Sequence, residues 1–371
     1  MKISLEKERI LFCIKMVSKA MSSRSTIPVL SGIHIYTSAD GVVFETSDLD
    51  TSIKHVEEAL VEEAGATVVP GKLFSEIIGS LPKSLIVLET KGEKLEISCE
   101  STKFNISTLN ALDFPPFPQI IPSKSIVIKA EQLQKMVKKV EKAVSRDISR
   151  AVLTGISFKT NNSILELAAT DSYRLTITKE KISTSEGSAP AENINVVIPG
   201  NILNEVCKLA SEEDMIKIGE SENQLIFIFG MTSLISRKVE GNYPNYEQIV
   251  PTQKNVSIVV ETELFLGAVR RVSIVAKNTS PIKISFHTDT QQIEISAHTP
   301  DVGEALEKIP AQIDGEGIEI GFNYQYILDG LNVIDDKEIL IEAQTPIKPG
   351  IFKSIGSDEF FYLTMPVRLE R

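Results

Sequence analysis

The 371-residue chain has no tryptophan, and it has only three cysteines and four histidines. Cys13, Cys99 and Cys207 are far apart and form no CxxC pair, which argues against a disulfide-stapled domain and favours a reducing compartment. No apolar run approaches the ~20 residues of a membrane-spanning helix. The stretch 1–8 is charged and lacks the apolar core of a signal peptide. We therefore expect a cytoplasmic protein.

Motifs of known catalytic or cofactor chemistry are also missing. The sequence contains no P-loop, HExxH, GxSxG or EF-hand pattern. Its histidines are scattered along the chain, and we interpret each as a structural side chain rather than a metal ligand. We expect no catalytic residues, no metal and no cofactor. The alternative is an enzyme with a dispersed site, for which Asp171, Tyr173 and Arg174 are the natural candidates.

Positive charge is in the minority, with 39 Lys and Arg against 50 Asp and Glu and a formal net charge of −11. This balance argues weakly against a protein coated with nucleic acid, because phosphate binding needs Lys and Arg. It leaves room for a local basic surface on an acidic body. The distribution of the basic residues therefore matters more than their number.

A strand–helix–strand pattern recurs three times. Helical periodicity predicts helices over residues 8–20, 131–144 and 263–275, each preceded by one alternating strand and followed by others. Leu133 lies 123 residues after Ile10, and Leu264 lies 131 residues after Leu133. The regular spacing indicates a repeat of about one domain in length.

A second strand–helix unit follows each of the first. Glu205 lies 129 residues after Glu76, and Asp329 lies 124 residues after Glu205, which is nearly the same period. Proline clusters mark the joints. We therefore predict an α+β fold of three domains, 1–122, 123–250 and 251–371, with helices covering one face of antiparallel sheets. The alternative is an ordinary α+β protein in which such units recur without a true repeat.

Basic residues gather on the first helix of each repeat. Lys135, Lys138, Lys139 and Lys142 recur at helical spacing on a face that differs from the apolar face. The first helix carries two lysines and the third carries two arginines, in sequence order Lys15, Lys19, Arg270 and Arg271. A solvated helix face explains one such stripe. Three equivalent stripes favour contact with phosphates, without reading of bases.

Five segments match motifs of one family: RSTIPVL at 24–30, ATDSYRL at 169–175, NYPNY at 242–246, YILDGL at 326–331 and MPVRL at 365–369. Through them the whole chain resembles the beta subunit of bacterial DNA polymerase III, the beta sliding clamp family. The resemblance implies the DNA clamp fold: three similar domains, each of two β-α-β-β-β units, with antiparallel sheets outside and helices lining a ring.

The resemblance also implies a function in DNA replication. Two chains would form a head-to-tail homodimer that encircles double-stranded DNA, independently of sequence, as a nucleoid-associated processivity factor. A pocket between the second and third domains would bind a short peptide of the DNA polymerase III alpha subunit, the clamp loader and repair proteins. The alternative is a monomeric protein-interaction scaffold that does not encircle DNA.

The family's site residues carry over position by position. The partner-peptide pocket would comprise Leu153, Thr170, Ser172, Tyr173, Arg174, Leu175, Pro244, Ile249, Asn323, Tyr326, Ile347, Leu363, Met365, Pro366, Val367, Arg368 and Leu369. The DNA-facing residues would be Arg24, Lys135, Lys138, Lys139, Lys142 and Arg150. At the dimer seam, Phe104 and Ile106 would face Ile274 and Val275, although these four are equally compatible with the core of their own domains.

Some positions depart from the family pattern. Ser172-Tyr173 replaces a frequent Gly-His, and Gln248 stands where a basic residue is common. Asn201 occupies a position where a lysine can occur, and Glu370-Arg371 extend past the usual terminal leucine. We expect the shape of the pocket edge to differ accordingly.

Overall fold

The computed structural model describes residues 1–22, 26–161, 163–182, 193–251, 253–276, 281–357 and 359–369. Within these ranges the chain forms two compact units. The first compact unit contains residues 1–131 and 205–238, and the second contains residues 132–182, 193–204 and 239–369. None of the helices in the described ranges has the length and apolarity that crossing a membrane requires.

Six half-repeats, each of one strand, one helix and three further strands, follow one another along the chain. The first three are β1 (Lys2–Glu6), α1 (Lys7–Val17), β2 (Gly32–Ser38), β3 (Gly41–Ser47) and β4 (Thr51–Glu57); β6 (Ala66–Pro70), α2 (Gly71–Ser80), β7 (Leu85–Lys91), β8 (Lys94–Cys99) and β9 (Thr102–Ser107); and β10 (Lys124–Lys129), α3 (Ala130–Val140), β11 (Gly155–Asn161), β12 (Ile164–Thr170) and β13 (Arg174–Lys181). A short strand, β5 (Leu60–Glu63), lies between the first two.

The remaining three half-repeats have the same order of elements. They are β14 (Asn195–Pro199), α4 (Gly200–Leu209), β15 (Met215–Glu220), β16 (Gln224–Phe229) and β17 (Thr232–Arg237); β18 (Val256–Glu261), α5 (Thr262–Val272), β19 (Ile282–His287), β20 (Gln292–Thr299) and β21 (Gly303–Pro310); and β23 (Glu319–Phe322), α6 (Tyr324–Leu331), β24 (Glu338–Ala343), β25 (Gly350–Ser354) and β26 (Phe360–Thr364). Here β22 (Gln312–Gly315) is the additional strand. The predicted six-unit pattern is confirmed.

The first compact unit contains two antiparallel sheets. Their strand orders are β5-β1-β7-β8-β9 and β10-β15-β16-β17-β4-β3-β2-β6. The eight-stranded sheet joins the first and fourth half-repeats through the β4–β17 ladder, in which His55 lies opposite Thr232. Helix α1 packs on β4 and buries Ile10, Cys13 and Val17.

The second compact unit also contains two sheets, β14-β11-β12-β13-β26-β25-β24-β18-β22 and β21-β20-β19-β23. Its nine-stranded sheet joins the third and sixth half-repeats through the β13–β26 ladder. A core of buried side chains includes Phe265, Phe322, Phe352 and Tyr362. Aromatic side chains of this size contribute much of the apolar area that stabilises a core.

The repeated first helices end earlier than their periodicity predicts. The α-helices end at Val17, Val140 and Val272, rather than at residues 20, 144 and 275. In the first two cases a 3₁₀ turn continues the chain, over Ser18–Ala20 and Glu141–Ala143. Tighter hydrogen bonds of this type satisfy terminal carbonyl groups, and apolar residues in such a turn still face the core. Periodicity alone therefore overestimates the length of the α-helices.

Candidate functional site

One face of the nine-stranded sheet carries an apolar cluster. Leu175 on β13 lies opposite Leu363 on β26, and Leu363 lies opposite Ile351 on β25. Directly opposed side chains of antiparallel strands share a face of the sheet. All three are at most 4% exposed and pack with Ala168 and Tyr246. The register therefore gathers two of the predicted pocket residues, Leu175 and Leu363, on one apolar surface.

The segment after β17 covers part of this surface. The Tyr243 hydroxyl accepts a hydrogen bond of 3.1 Å from the amide of Thr170. Lys159 donates to the Tyr246 hydroxyl at 2.9 Å, and that hydroxyl in turn donates to the Glu166 carboxylate. Burial raises the pKa of Tyr246, and the Glu166 carboxylate raises it further. These bonds fix the segment that carries Pro244 and Ile249, both of which remain exposed.

The neighbouring side chain, Arg174, points to the other face of the sheet. Its Nε donates to Asp171 at 3.1 Å, and its Nη1 donates to Asp329 on α6 at 2.7 Å. The guanidinium carbon lies 4.4 Å from the centre of the Tyr326 ring. Burial opposes the charge, but the Asp329 hydrogen bond and the Asp171 charge keep the pKa of Arg174 above its ordinary value. Two carboxylates therefore neutralise the buried charge of Arg174, and these ion pairs account for a buried arginine at this position without a catalytic role.

A tight turn links β12 to β13. The Asp171 side chain accepts hydrogen bonds from the amides of Tyr173 and Arg174, at 2.9 and 3.0 Å. Ser172 has a φ of +78°, in the left-handed region that favours glycine. This backbone requirement explains why glycine suits the position in the family pattern. The serine hydroxyl accepts a hydrogen bond of 2.8 Å from Arg150, while Tyr173 is 59% exposed.

Backbone hydrogen bonds hold the C-terminal segment beside the same turn. The Met365 amide donates to the Tyr173 carbonyl at 2.8 Å, and the Val367 amide donates to the Gly321 carbonyl at 2.8 Å. A Cβ at Gly321 would lie 2.5 Å from the Val367 carbonyl oxygen, so this approach requires glycine. Met365 is 37% exposed and presents an accessible apolar side chain beside the turn.

Two cavities adjoin these residues. One, of about 610 Å³, is lined by Tyr173, Arg174 and Tyr326 together with Lys142 and Arg150. The other, of about 1040 Å³, lies beside β20 and β21, and Val367, Arg368 and Leu369 contribute to its lining. Predicted pocket residues therefore meet predicted DNA-facing residues at the first cavity.

The remaining predicted pocket residues lie in separate local environments. Leu153 is buried in a 3₁₀ segment, Ile148–Thr154, and Asn323 caps α6 by accepting a hydrogen bond of 2.9 Å from the Gln325 amide. Ile347, in the loop between β24 and β25, is 76% exposed. Pro366 is half-buried beside Met365.

The basic residues of the first helices are mostly exposed. Lys135, Lys138 and Lys142 are exposed, as are Lys15 and Lys19 on the first helix and its 3₁₀ extension. Lys139 departs from the predicted open stripe because its ammonium group lies 3.3 Å from Glu180 and its side chain is only 23% exposed. Arg150 pairs with Asp147 at 3.3 Å, and Arg24 lies outside the described residues.

The predicted seam residues divide between core and surface. Ile106 on β9 is 6% exposed and lies in the core of its own unit. Phe104, on the same strand, is half-buried. Ile274 is 80% exposed, whereas Val275 packs against the core of the second compact unit. Ile274 is thus the most accessible of the four, and Phe104 and Val275 are half-buried.

Sequence reasoning missed the connecting residues of the site. Asp171 and Asp329 were not assigned to the Arg174 pocket, and Tyr246 was not assigned to the apolar cluster. The Asp-x-x-Arg spacing of 171–174 signals the first ion pair, since both residues flank a turn. No spacing signals Asp329, which lies 155 residues away.

Sequence and structure comparisons agree along the whole chain. Family models of the DNA polymerase III beta subunit match its N-terminal domain at residues 1–118, its central domain at 127–245 and its C-terminal domain at 247–368. The "Beta sliding clamp" of Bacillus subtilis is 34% identical over 99% of this chain and 100% of the relative.

Solved structures show the same likeness. The DNA polymerase sliding clamp of Bacillus subtilis has a TM-score of 0.94 at 33% identity, with complete coverage of both chains. A sliding clamp from Bartonella birtlesii bound to griselimycin has a TM-score of 0.91 at 27% identity, also with complete coverage. The α+β clamp fold predicted from the sequence is thereby confirmed, and the chain belongs to the DNA polymerase III beta subunit family.

Proposed function

We propose that this chain is a DNA sliding clamp: a homodimeric ring that encloses duplex DNA and tethers the replicative polymerase, with no catalytic centre of its own. One observation carries the proposal. In a chain of net charge −11, α1, α3 and α5 each follow a strand at equivalent points of the repeat, and each has one or two basic residues in its last turn.

Basic residues in a last turn also complement the helix dipole, so a single helix would carry little weight. The threefold recurrence at domain spacing makes a shared binding surface the better explanation. Exposed lysines contact phosphates without reading bases, and each neutralised phosphate contributes about 0.9 to the slope of log affinity against log salt. Such contacts suit a protein that moves along DNA.

The deciding experiment compares retention on closed circular and linearised DNA after loading by the clamp-loading ATPase of the same organism. We expect the protein to remain on the circle at high salt and to leave the linear DNA from its ends. Equal loss from both forms would contradict encirclement and favour the monomeric scaffold. Mass in solution, from sedimentation velocity, is an independent check.

The direct contact can be tested with matched lysine pairs. Lys138→Gln with Lys142→Gln should lower the salt slope of binding to short linear duplex by up to about 0.9 per lysine. Lys94→Gln with Lys217→Gln removes the same charge from exposed strand positions and should leave the slope unchanged. An equal effect of both pairs would exclude a role specific to the helix.

The strand pairing supports a head-to-tail arrangement. The last strand of the first half-repeat pairs with that of the fourth (β4–β17), and the last strand of the third pairs with that of the sixth (β13–β26). Within the described part of the chain, the last strands of the second and fifth, β9 and β21, are sheet edges. Pairing β9 with β21 of another copy would continue the pattern and place Phe104 and Ile274 near the seam.

This seam predicts the effect of an edge substitution. Leu306 on β21 is 60% exposed, and Leu306→Lys should convert the dimer to monomers, because a charged edge strand opposes pairing. Val302→Lys, at a 48% exposed position in the preceding turn, is the matched control and should stay dimeric. A dimer that survives Leu306→Lys would refute this seam.

The predicted pocket would take a short peptide of the polymerase alpha subunit, the clamp loader and other clamp-binding proteins. Leu175 and Leu363 belong to the buried apolar cluster, and Tyr173, Ile249 and Met365 have accessible side chains. Apolar walls with a few polar groups are typical of such sites. Griselimycin, which is bound in the Bartonella birtlesii relative, is a suitable probe alongside a polymerase peptide.

Two further assignments belong to the same proposal. The domains would be 1–122, 123–250 and 251–371, in accord with family matches that leave only short gaps near residues 119–126 and 246. The protein would act in the cytoplasm on nucleoid DNA. Imaging of a tagged chain should show foci that depend on active replication, and a uniform signal would contradict the localisation.

A further inference from the structure

Three side chains with metal-binding atoms meet where α1 packs on β4. Cys13 lies on the buried face of the helix. His55 and Glu57 are two residues apart on the strand, so their side chains lie on the same face of the sheet. One ligand atom from each lies within 4.8 Å of the others. This cluster is part of neither the basic helix surfaces nor the peptide pocket.

The distances approach those around a tetrahedral zinc ion. Glu57 Oε2 lies 4.0 Å from Cys13 Sγ and 3.6 Å from His55 Nε2. Tetrahedral bonds of normal zinc length would place these atom pairs about 3.6 and 3.4 Å apart. These two pairs would need contractions of about 0.4 and 0.2 Å, and the cysteine and histidine ligand atoms, which lie within 4.8 Å of each other, would also have to approach. The other carboxylate oxygen, Oε1, accepts a hydrogen bond from Arg9, which leaves Oε2 directed at the cluster.

The His55 ring is oriented as a ligand would be. Its Nδ1 is 2.8 Å from the Thr232 hydroxyl, whereas its Nε2 is buried and has no hydrogen-bond partner in the described part of the chain. The residue is only 5% exposed. A hydrogen bond from the second ring nitrogen is the usual support of a metal-bound histidine.

We propose that Cys13, His55 and Glu57 form a zinc site that ties α1 to β4. Sulfur, imidazole and carboxylate together suit a borderline-soft divalent ion. A thiolate and a carboxylate balance the two charges of the ion, and Arg9 remains on the outer carboxylate oxygen. Water would complete the fourth position. The proposal stands independently of the clamp function.

The test uses the full-length protein, stripped with a chelator and titrated with Zn²⁺ and, as a spectroscopic probe, Co²⁺. We expect about one zinc per chain by elemental analysis and a thiolate-to-cobalt absorption band. Cys13→Ser should abolish the band, and His55→Gln should abolish stoichiometric binding. Thr232→Val should weaken binding about 10- to 100-fold through the loss of ligand orientation.

The chain offers matched controls. Cys99 is a second buried cysteine, Cys207 is half-buried, and His34 is a half-buried histidine whose Nδ1 is buried and has no hydrogen-bond partner in the described part of the chain. Cys99→Ser, Cys207→Ser and His34→Gln should keep both the zinc and the band. Absence of stoichiometric zinc in the wild-type chain, or a band that survives Cys13→Ser, would overturn the proposal. If Cys13→Ser fails to fold, the wild-type titration and Thr232→Val still decide it.

Discussion

The buried charge cluster around Arg174 gives a quantitative test of the structure. Arg174→Met keeps much of the aliphatic volume but removes the cation that Asp171 and Asp329 share, at 3.1 and 2.7 Å. The three side chains are 10%, 15% and 19% exposed. Removing one partner of a buried ion pair costs about 3–5 kcal/mol, because the remaining charge is left uncompensated. Residual hydration of the carboxylates places the expected loss near the lower value.

A double-mutant cycle with Asp329→Asn separates this charge effect from lost packing. If the two aspartates repel each other once the arginine is gone, the double variant should recover about 1–3 kcal/mol relative to the sum of the single losses. The assay is chemical denaturation followed by near-ultraviolet circular dichroism. Tyr326 and Tyr362, which flank the guanidinium, report on this region.

Arg150 provides the matched control. It forms the same i, i+3 pair with an aspartate, Asp147, at 3.3 Å, but its side chain is 45% exposed. Arg150→Met should therefore cost less than about 1 kcal/mol. The reasoning would be refuted by equal losses for the two arginines, or by strict additivity in the Arg174–Asp329 cycle.

Three other substitutions test the packing, the pocket and the pH response. Gly330→Ala would bring a Cβ within 2.3 Å of the buried Tyr362 ring, so we expect the free energy of unfolding to fall by about 1–3 kcal/mol, with a lower melting temperature. An unchanged melting temperature would contradict the packing. Met365→Ala should weaken griselimycin or peptide binding without unfolding the protein, whereas Leu175→Ala should weaken binding and also destabilise the fold by about 2–5 kcal/mol. Met231→Ala, at an exposed methionine, is the control and should change neither binding nor stability. Unchanged affinity in both pocket variants would exclude the pocket. Burial raises the pKa of Glu45 to about 7 from 4.5. Stability should therefore fall between pH 4.5 and 7, because the carboxyl of the unfolded chain ionises there while the folded one keeps its proton, and the fall should level off above pH 7. Glu45→Gln should flatten this part of the pH profile, as urea denaturation at several pH values would show.

Local periodicity was sufficient to predict the elements and their sixfold order. Strands such as β8 and β16 alternate fully buried residues with more accessible ones, as half-buried antiparallel strands do. The amphipathic pattern of α3 predicted its buried face, which Leu133, Met136, Val137 and Val140 form. These features depend on near neighbours in the sequence, so one chain contains enough information to recognise them.

Contacts between distant segments could not be predicted in this way. Tyr246 joins the apolar cluster because its hydroxyl bonds to Glu166, 80 residues earlier. Lys139 leaves the predicted basic stripe because Glu180, on β13, lies within 3.3 Å of it. Each contact depends on the pairing register of the strands. The alternation of apolar and polar residues limits the possible registers but does not determine which one forms. The pocket residues were accordingly predicted through family resemblance, and their connecting groups were missed.

The sheets also show why a repeat in sequence differs from a compact unit in space. The β4–β17 and β13–β26 ladders join strands of different predicted domains into single sheets, so compactness follows the ladders rather than the proline-rich joints. The ladders bring His55 opposite Thr232, 177 residues later in the chain. The Thr232 hydroxyl that orients His55 in the candidate zinc site is therefore supplied by a different predicted domain, through the β4–β17 ladder. If both proposals hold, zinc should raise the stability of the first compact unit, including the strands contributed by the second domain.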